Sequence, residues 1–275
     1  MNILEPMRIA RVLAVSLLFT SAPLIAQDDA ADPNAEGVSQ PSVSAEAQAN
    51  NPLADFRAFN VQNYYIPELS GPTDETANNL VLRYAQPFGN WLMRASLPFS
   101  RVPTGVNTTE SGVGDSDAFF AYLFDTGNPA RSFGLGPQIV LPTASKDATG
   151  SGKYQGGLAA VYFDATSPAI QWGGLLTYRT DFAGDSDRAD VSVFAAQPFY
   201  FFQLGKGNYL RGAPIWVFDL ENDNYHVPVG LGFGKVIASG STVYNFFIEP
   251  QFTVLDKGPG QPQFQLFMAV NMQFK

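Results

Sequence analysis

Residues 264–275 read FQLFMAVNMQFK. Phe264, Leu266, Met268, Val270, Met272 and Phe274 share one parity, and Gln265, Asn271 and Gln273 share the other. Successive side chains of a strand point to opposite faces, so the stretch predicts a strand with one large apolar face and one amide-rich face. Such a strand has two homes: a soluble sheet with its apolar face inward, or a membrane barrel with its apolar face in lipid. Parity alone does not separate them.

The same alternation recurs upstream. Trp91, Met93, Leu97 and Phe99 oppose Arg94 and Ser96; Trp172, Leu176 and Tyr178 oppose Gln171 and Arg179. Leu210, Pro214, Trp216, Phe218 and Leu220 oppose Arg211 and Asp219, and Tyr244, Phe246, Ile248 and Phe252 oppose Asn245, Glu249 and Gln251. From residue 53 on, about twelve such runs follow one another: 56–66, 79–87, 91–99, 116–125, 131–142, 154–165, 168–181, 190–203, 207–219, 224–237, 242–255 and 262–274. Most are long enough to cross a bilayer as tilted strands.

The connections decide between the two homes. Short ones (PFGN, TGNPA, TS, LGKG, SGS) alternate with mostly longer polar ones (PELSGPTDETAN, SRVPTGVNTTESGVGD, TASKDATGSGK, FAGDSDRA, LENDN, DKGPGQP). Outer-membrane barrels have tight periplasmic turns and long outward loops, whereas a soluble sandwich has no reason to keep that order. Tyr84, Trp91, Phe99, Phe202, Tyr209 and Phe252 fall near strand ends, as interfacial girdles do. The expected fold is all-β: a transmembrane antiparallel β-barrel of about twelve strands, an even number that returns the chain to its starting side.

The N-terminus agrees. Arg8 and Arg11 precede VLAVSLLFTSAPLIA, an apolar core too short for a membrane helix. Residues 1–26 are expected to be a cleavable signal peptide, and 27–52 a flexible periplasmic leader without aromatic residues. Residues 53–275 form the barrel, in the outer membrane of a Gram-negative bacterium. The assembly machinery of that membrane and its lipid are then partners. Phe274 resembles the C-terminal aromatic which that machinery reads, although Lys275 follows it.

Composition supports strands and turns: 23 Phe, 11 Tyr, 25 Gly and 20 Pro. With no cysteine, disulfides and thiolate metal sites are excluded. The net charge of −9 and singly scattered basic residues exclude a nucleic-acid footprint.

A lipid-facing Arg or Lys near the midplane costs about 2–4 kcal/mol, so the polar parity is assigned to the interior. The expected lining is Arg83, Arg94, Asp117, Gln138, Gln155, Arg179, Arg211, Asp219, His226, Asn245, Glu249 and Gln251. Its signs are roughly balanced, which implies no charge selectivity; a paired network that merely fills the barrel fits equally well. Twelve strands lie between barrels filled by side chains and open porins.

Other motifs resolve to structure. DATGSGKY (147–154) lacks the first glycine and the final Ser or Thr of a phosphate loop. GLGFGK (230–235) sets glycines on one strand face, as close packing against an inner element requires. GDSD occurs at 114–117 and 184–187, where turn chemistry outranks a divalent-cation site. His226 is the single histidine, and no serine motif marks a catalytic partner for it. No catalytic residue, metal ligand or cofactor is expected.

Leu141, Pro142 and Thr143, GSGKYQ (150–155), FAGDSDRADV (182–191), QPF (197–199) and VPVGLGFGKV (227–236) come in an order and spacing that resemble the bacterial outer-membrane transporter-like proteins of the meta-pathway of phenol degradation, some of which carry a neuromedin label. The resemblance covers about half the chain, with AGDSDR its most specific element. It implies a channel for small, hydrophobic or aromatic solutes and assigns no binding residues. A structural or surface-binding barrel with acidic working loops is the alternative.

Overall fold

The computed structural model describes residues 50–71 and 74–274. The expected signal peptide, and the leader up to residue 49, lie outside them. The sheet contains fifteen strand segments: β1 (Arg57–Leu69), β2 (Ala77–Phe88), β3 (Trp91–Gly105), β4 (Thr108–Val113), β5 (Ser116–Phe124), β6 (Arg131–Leu141), β7 (Lys153–Asp164), β8 (Ile170–Gly184), β9 (Ser192–Gly205), β10 (Asn208–Gly212), β11 (Trp216–Asp219), β12 (Asn224–Gly230), β13 (Gly232–Ser239), β14 (Thr242–Lys257) and β15 (Pro262–Phe274).

Three pairs of segments are single staves interrupted once. β4 and β5 both pair with β3, β10 and β11 with β9, and β12 and β13 with β14. Every pairing is antiparallel, and β15 bonds β14 on one side and β1 on the other (Arg57↔Phe274 to Leu69↔Pro262). The sheet is therefore a closed barrel of twelve staves. Closure removes the bare edges that an open sheet would present.

The connections fall as the alternation of loop lengths predicts. One end carries the Gly89–Asn90, 125–130, 165–169, Lys206–Gly207 and Gly240–Ser241 turns, and the other the longer loops. Gly89 (φ 57°) and Gly240 (φ 60°) take the left-handed region that a two-residue hairpin demands. One expected loop is instead a hairpin: within SRVPTGVNTTESGVGD, β3 continues to Gly105 and β4 pairs back on it. This ribbon is polar along both faces and pairs with β3 alone, so it carries no alternation to read.

Burial alternates along the staves. On β15, Gln265, Phe267, Ala269, Asn271 and Gln273 are buried, whereas Leu266, Met268, Val270 and Met272 between them are more accessible. Tyr84, Trp91, Phe99, Phe202 and Phe252 are exposed on the outer surface, as a girdle requires. Tyr209 is not among them. It shares the parity of Arg211, is fully buried, and donates a hydrogen bond to Asn245 Oδ1. Gly234 opposes it in register, and a Cβ there would lie 2.1 Å from the Tyr209 ring. The glycine row of 230–235 thus makes room for a side chain of the neighbouring stave rather than for an inner element.

Residues 50–53 join the fold at the short-turn end. Asn50 and Leu53 are buried; Asn51 donates to Ser132 Oγ at 2.9 Å, and Asn245 donates to Asn50 Oδ1 at 3.3 Å. The packed structure therefore begins before residue 53. No helix among the described residues is long and apolar enough to cross a membrane.

Candidate functional site

The buried parity fills the interior with charged, amide and aromatic side chains. Toward the long loops, Arg83 on β2, Ser96 on β3 and Asp117 on β5 are successive register partners. Arg83 donates through Nε to Ser96 Oγ (2.9 Å) and through Nη1 to Gln62 Oε1 (2.5 Å). One step toward the short turns runs a second register row, Arg94↔Phe119↔Gln138↔Gly157↔Arg179. The Arg94 guanidinium lies 4.0 Å from the centre of the Phe119 ring. Such a contact is worth about 2 kcal/mol when desolvated.

Across the interior, Arg211 and Glu249 are both fully buried and pair at 2.7 Å (Nε to Oε2). Glu249 Oε1 also accepts from Ala213 N (2.8 Å) and Gln251 Nε2 (2.6 Å), and Gln251 Oε1 accepts from Gln265 Nε2 (2.5 Å). This carboxylate explains the interruption between β10 and β11. Ala213 N turns inward to it, and Pro214 has no N–H to offer the ladder. Arg211 also rests 3.5 Å from the Phe247 ring centre.

Aromatic rings are interleaved with this second charged group: Phe267 is the register partner of Glu249, and Phe201 that of Arg211. Tyr64 stacks on Phe267 with centroids 4.2 Å apart, and Phe247 meets Phe267 edge-on at 4.9 Å. Phe163, Phe199, Phe201 and Tyr209 belong to the same buried cluster.

Of the twelve residues expected on the inside, eleven are buried: Arg83, Arg94, Asp117, Gln138, Gln155, Arg179, Arg211, His226, Asn245, Glu249 and Gln251. Asp219 is only partly buried and caps the turn after β11, accepting from Glu221 N and Asn222 N at 3.1 Å each. The residues do not form one cluster. Arg83, Arg94, Asp117, Gln138 and Arg179 share adjoining register rows; Arg211, Glu249 and Gln251 form the second group; Asn245 joins Tyr209 and Asn50. Gln155 Nε2 donates to Ser151 Oγ at 2.9 Å, and His226 pairs in register with Asp256 near the long-loop rim.

Sequence reasoning omitted the inner aromatics. Tyr64, Phe119, Phe247 and Phe267 sit on polar parities, and the rule that apolar parity faces lipid hid them. The signal was present in their spacing by twos from Gln62, Asp117, Asn245 and Gln265.

The long-loop end is clasped. Asp115, from the first GDSD, is buried and accepts from Ser151 N and Oγ (2.7 Å each) and from Ala144 N (3.2 Å). Arg188, just after the second GDSD, donates to Asp147 O (2.6 Å) and Gly150 O. Both copies therefore serve turns and hold one loop, 144–151. No group of three metal-ligating side chains occurs among the described residues. On the outer face, Tyr84, Leu97, Ile139 and Leu141 surround a groove of about 410 Å³ above the small register partners Ala95 and Ala118.

No family model matches the chain, and no curated protein does. Among solved structures, the COG4313 outer membrane channel from Pseudomonas putida F1 aligns over 81% of this chain and 97% of its own, with TM-score 0.60 and 15% identity. The NanC porin (79% of this chain and 99% of its own, TM-score 0.49, 11% identity) and the CymD monoaromatic hydrocarbon channel (81% and 89%, 0.40, 9%) align more loosely. At 15% identity the likeness to the COG4313 channel is one of fold: this chain is a closed, twelve-stave antiparallel β-barrel.

Proposed function

We propose that the protein is an outer-membrane channel for the passive passage of small molecules, hydrophobic or aromatic ones among them, and that it reaches that membrane through the signal peptide read at residues 1–26. The observation that carries this reading is the polarity of the closed barrel. Its outer surface is a band of exposed apolar residues such as Leu135, Leu158, Trp172, Leu176, Phe233 and Ile248, while arginines, carboxylates and amides are buried inside. The inner-parity residues named above line the proposed path, with Asp219 at its rim. The fold shared with the COG4313 outer membrane channel and the resemblance to the phenol meta-pathway proteins support the same reading. Purified protein in liposomes is expected to give ion conductance or uptake of small neutral solutes; a tight, inert barrel would overturn it.

The second reading is a structural or surface-binding barrel. It is favoured by the filling of the interior, where Arg83, Arg211, Tyr64, Phe119, Phe163 and Phe267 are fully or almost fully buried. Conductance separates the two, because a filled structural barrel passes nothing.

A further inference from the structure

The interior charges are not balanced as their bare count suggests. Arg83, Arg94 and Arg179 are 1, 6 and 5% exposed, and no carboxylate among the described residues forms an ion pair with any of them. Asp117, two places from Arg83 in the row Arg83↔Ser96↔Asp117 and two residues before Phe119 of the Arg94–Arg179 row, is the buried carboxylate set among them. Asp115 and Asp219 already serve turn hydrogen bonds. Glu249 is matched to Arg211. Three guanidiniums therefore share one inner carboxylate, and the Arg179 Nε proton has no acceptor among the described residues. Burying charge without a partner is costly, and a guanidinium's planar fork of donors matches a carboxylate in two-point contact.

We propose that this arginine group is a binding site for the carboxylate of an amphiphilic anion whose aromatic or acyl body rests on the apolar side chains beside it. Phe119 lies between Arg94 and Gln138 in the register row, and it belongs to the same buried cluster as Leu92, Leu175 and Phe199. Head and body thus meet opposite chemistries a few ångströms apart. The inference rests on the channel reading for how a solute arrives, but not for whether it binds. A second source of the same chemistry is the chain's own acidic leader, which carries Asp28, Asp29, Asp32, Glu36 and Glu46.

The test is calorimetric titration of the purified full chain in detergent with benzoate and octanoate, against benzyl alcohol and octanol. The carboxylates are expected to bind at least ~10-fold more tightly than the alcohols. Arg94→Met and Arg179→Met should each weaken them by ~10-fold to ~100-fold, with partial recovery in Arg179→Lys. Heat-modifiable migration on gels confirms that each variant is folded. Alcohols binding as tightly as carboxylates, or folded methionine variants binding unchanged, overturn the proposal. If the wild-type chain is silent, a variant with the five leader carboxylates changed to amides separates the sources. Benzoate binding by that variant assigns the site to the chain's own carboxylates, and silence in both overturns the site. Neutral-solute uptake in liposomes is scored separately, so the channel reading and the anion site fail independently.

Discussion

The Arg211–Glu249 pair offers the sharpest energetic test of the interior. Both side chains are fully buried and meet at 2.7 Å. Replacing Glu249 by Met strands a buried guanidinium, which costs about 3–5 kcal/mol. The Phe247 ring against Arg211 returns part of this, at most about 2 kcal/mol. Arg211→Met strands the carboxylate, with a loss again of about 3–5 kcal/mol. The double variant removes both charges and leaves only Ala213 N and Gln251 Nε2 without their acceptor, a loss of about 1–3 kcal/mol. The expected signature is a double variant more stable than Arg211→Met alone, with a coupling energy of at least about 1 kcal/mol. Urea unfolding in detergent micelles, followed by heat-modifiable migration and tryptophan fluorescence, measures all four corners of the cycle. Additive losses would refute the reasoning, because they would mean that the two charges are solvated independently.

Gly234→Ala places a Cβ 2.1 Å from the Tyr209 ring and should cost about 1–3 kcal/mol in the same unfolding assay; Tyr209→Leu in that background should recover part of the loss. Asp115→Ala removes the acceptor of Ser151 and Ala144, so loop 144–151 should be cut faster by added protease while the barrel keeps its folded migration. Leu176→Arg, on the exposed face, should lower stability by about 2–4 kcal/mol in lipid vesicles, and a smaller loss in vesicles than in micelles would contradict the assignment of that face to lipid.

Much of this architecture was legible in the sequence because a stave facing lipid on one side and a filled interior on the other must alternate. Trp172, Leu176 and Tyr178 against Gln171 and Arg179 show it plainly. The β3–β4 ribbon was not legible, since residues such as Thr104, Asn107 and Glu110 meet no contrast of environment along it. The interior was half legible. Charges and amides announce their side, but Phe119 or Phe267 does not, because an aromatic ring is accepted by lipid and by a packed core alike. Tyr209 was misread as a girdle residue for the same reason, although its spacing from Arg211 placed it inside. Register supplied what composition withheld: the rows that set Arg94, Phe119 and Arg179 in one ring around the wall are long-range pairings that no local window contains.

The pairing of β15 with both β1 and β14 has a kinetic side. The seam joins the first stave of the sheet to its last, so its loop-closure entropy is lost before those contacts can repay it. Until β15 docks, β1 and β14 each present a row of unpaired backbone groups, an open template for another chain. The segment from Pro262 to Phe274 covers both rows, so the closed barrel offers that template to another chain only while this seam is open.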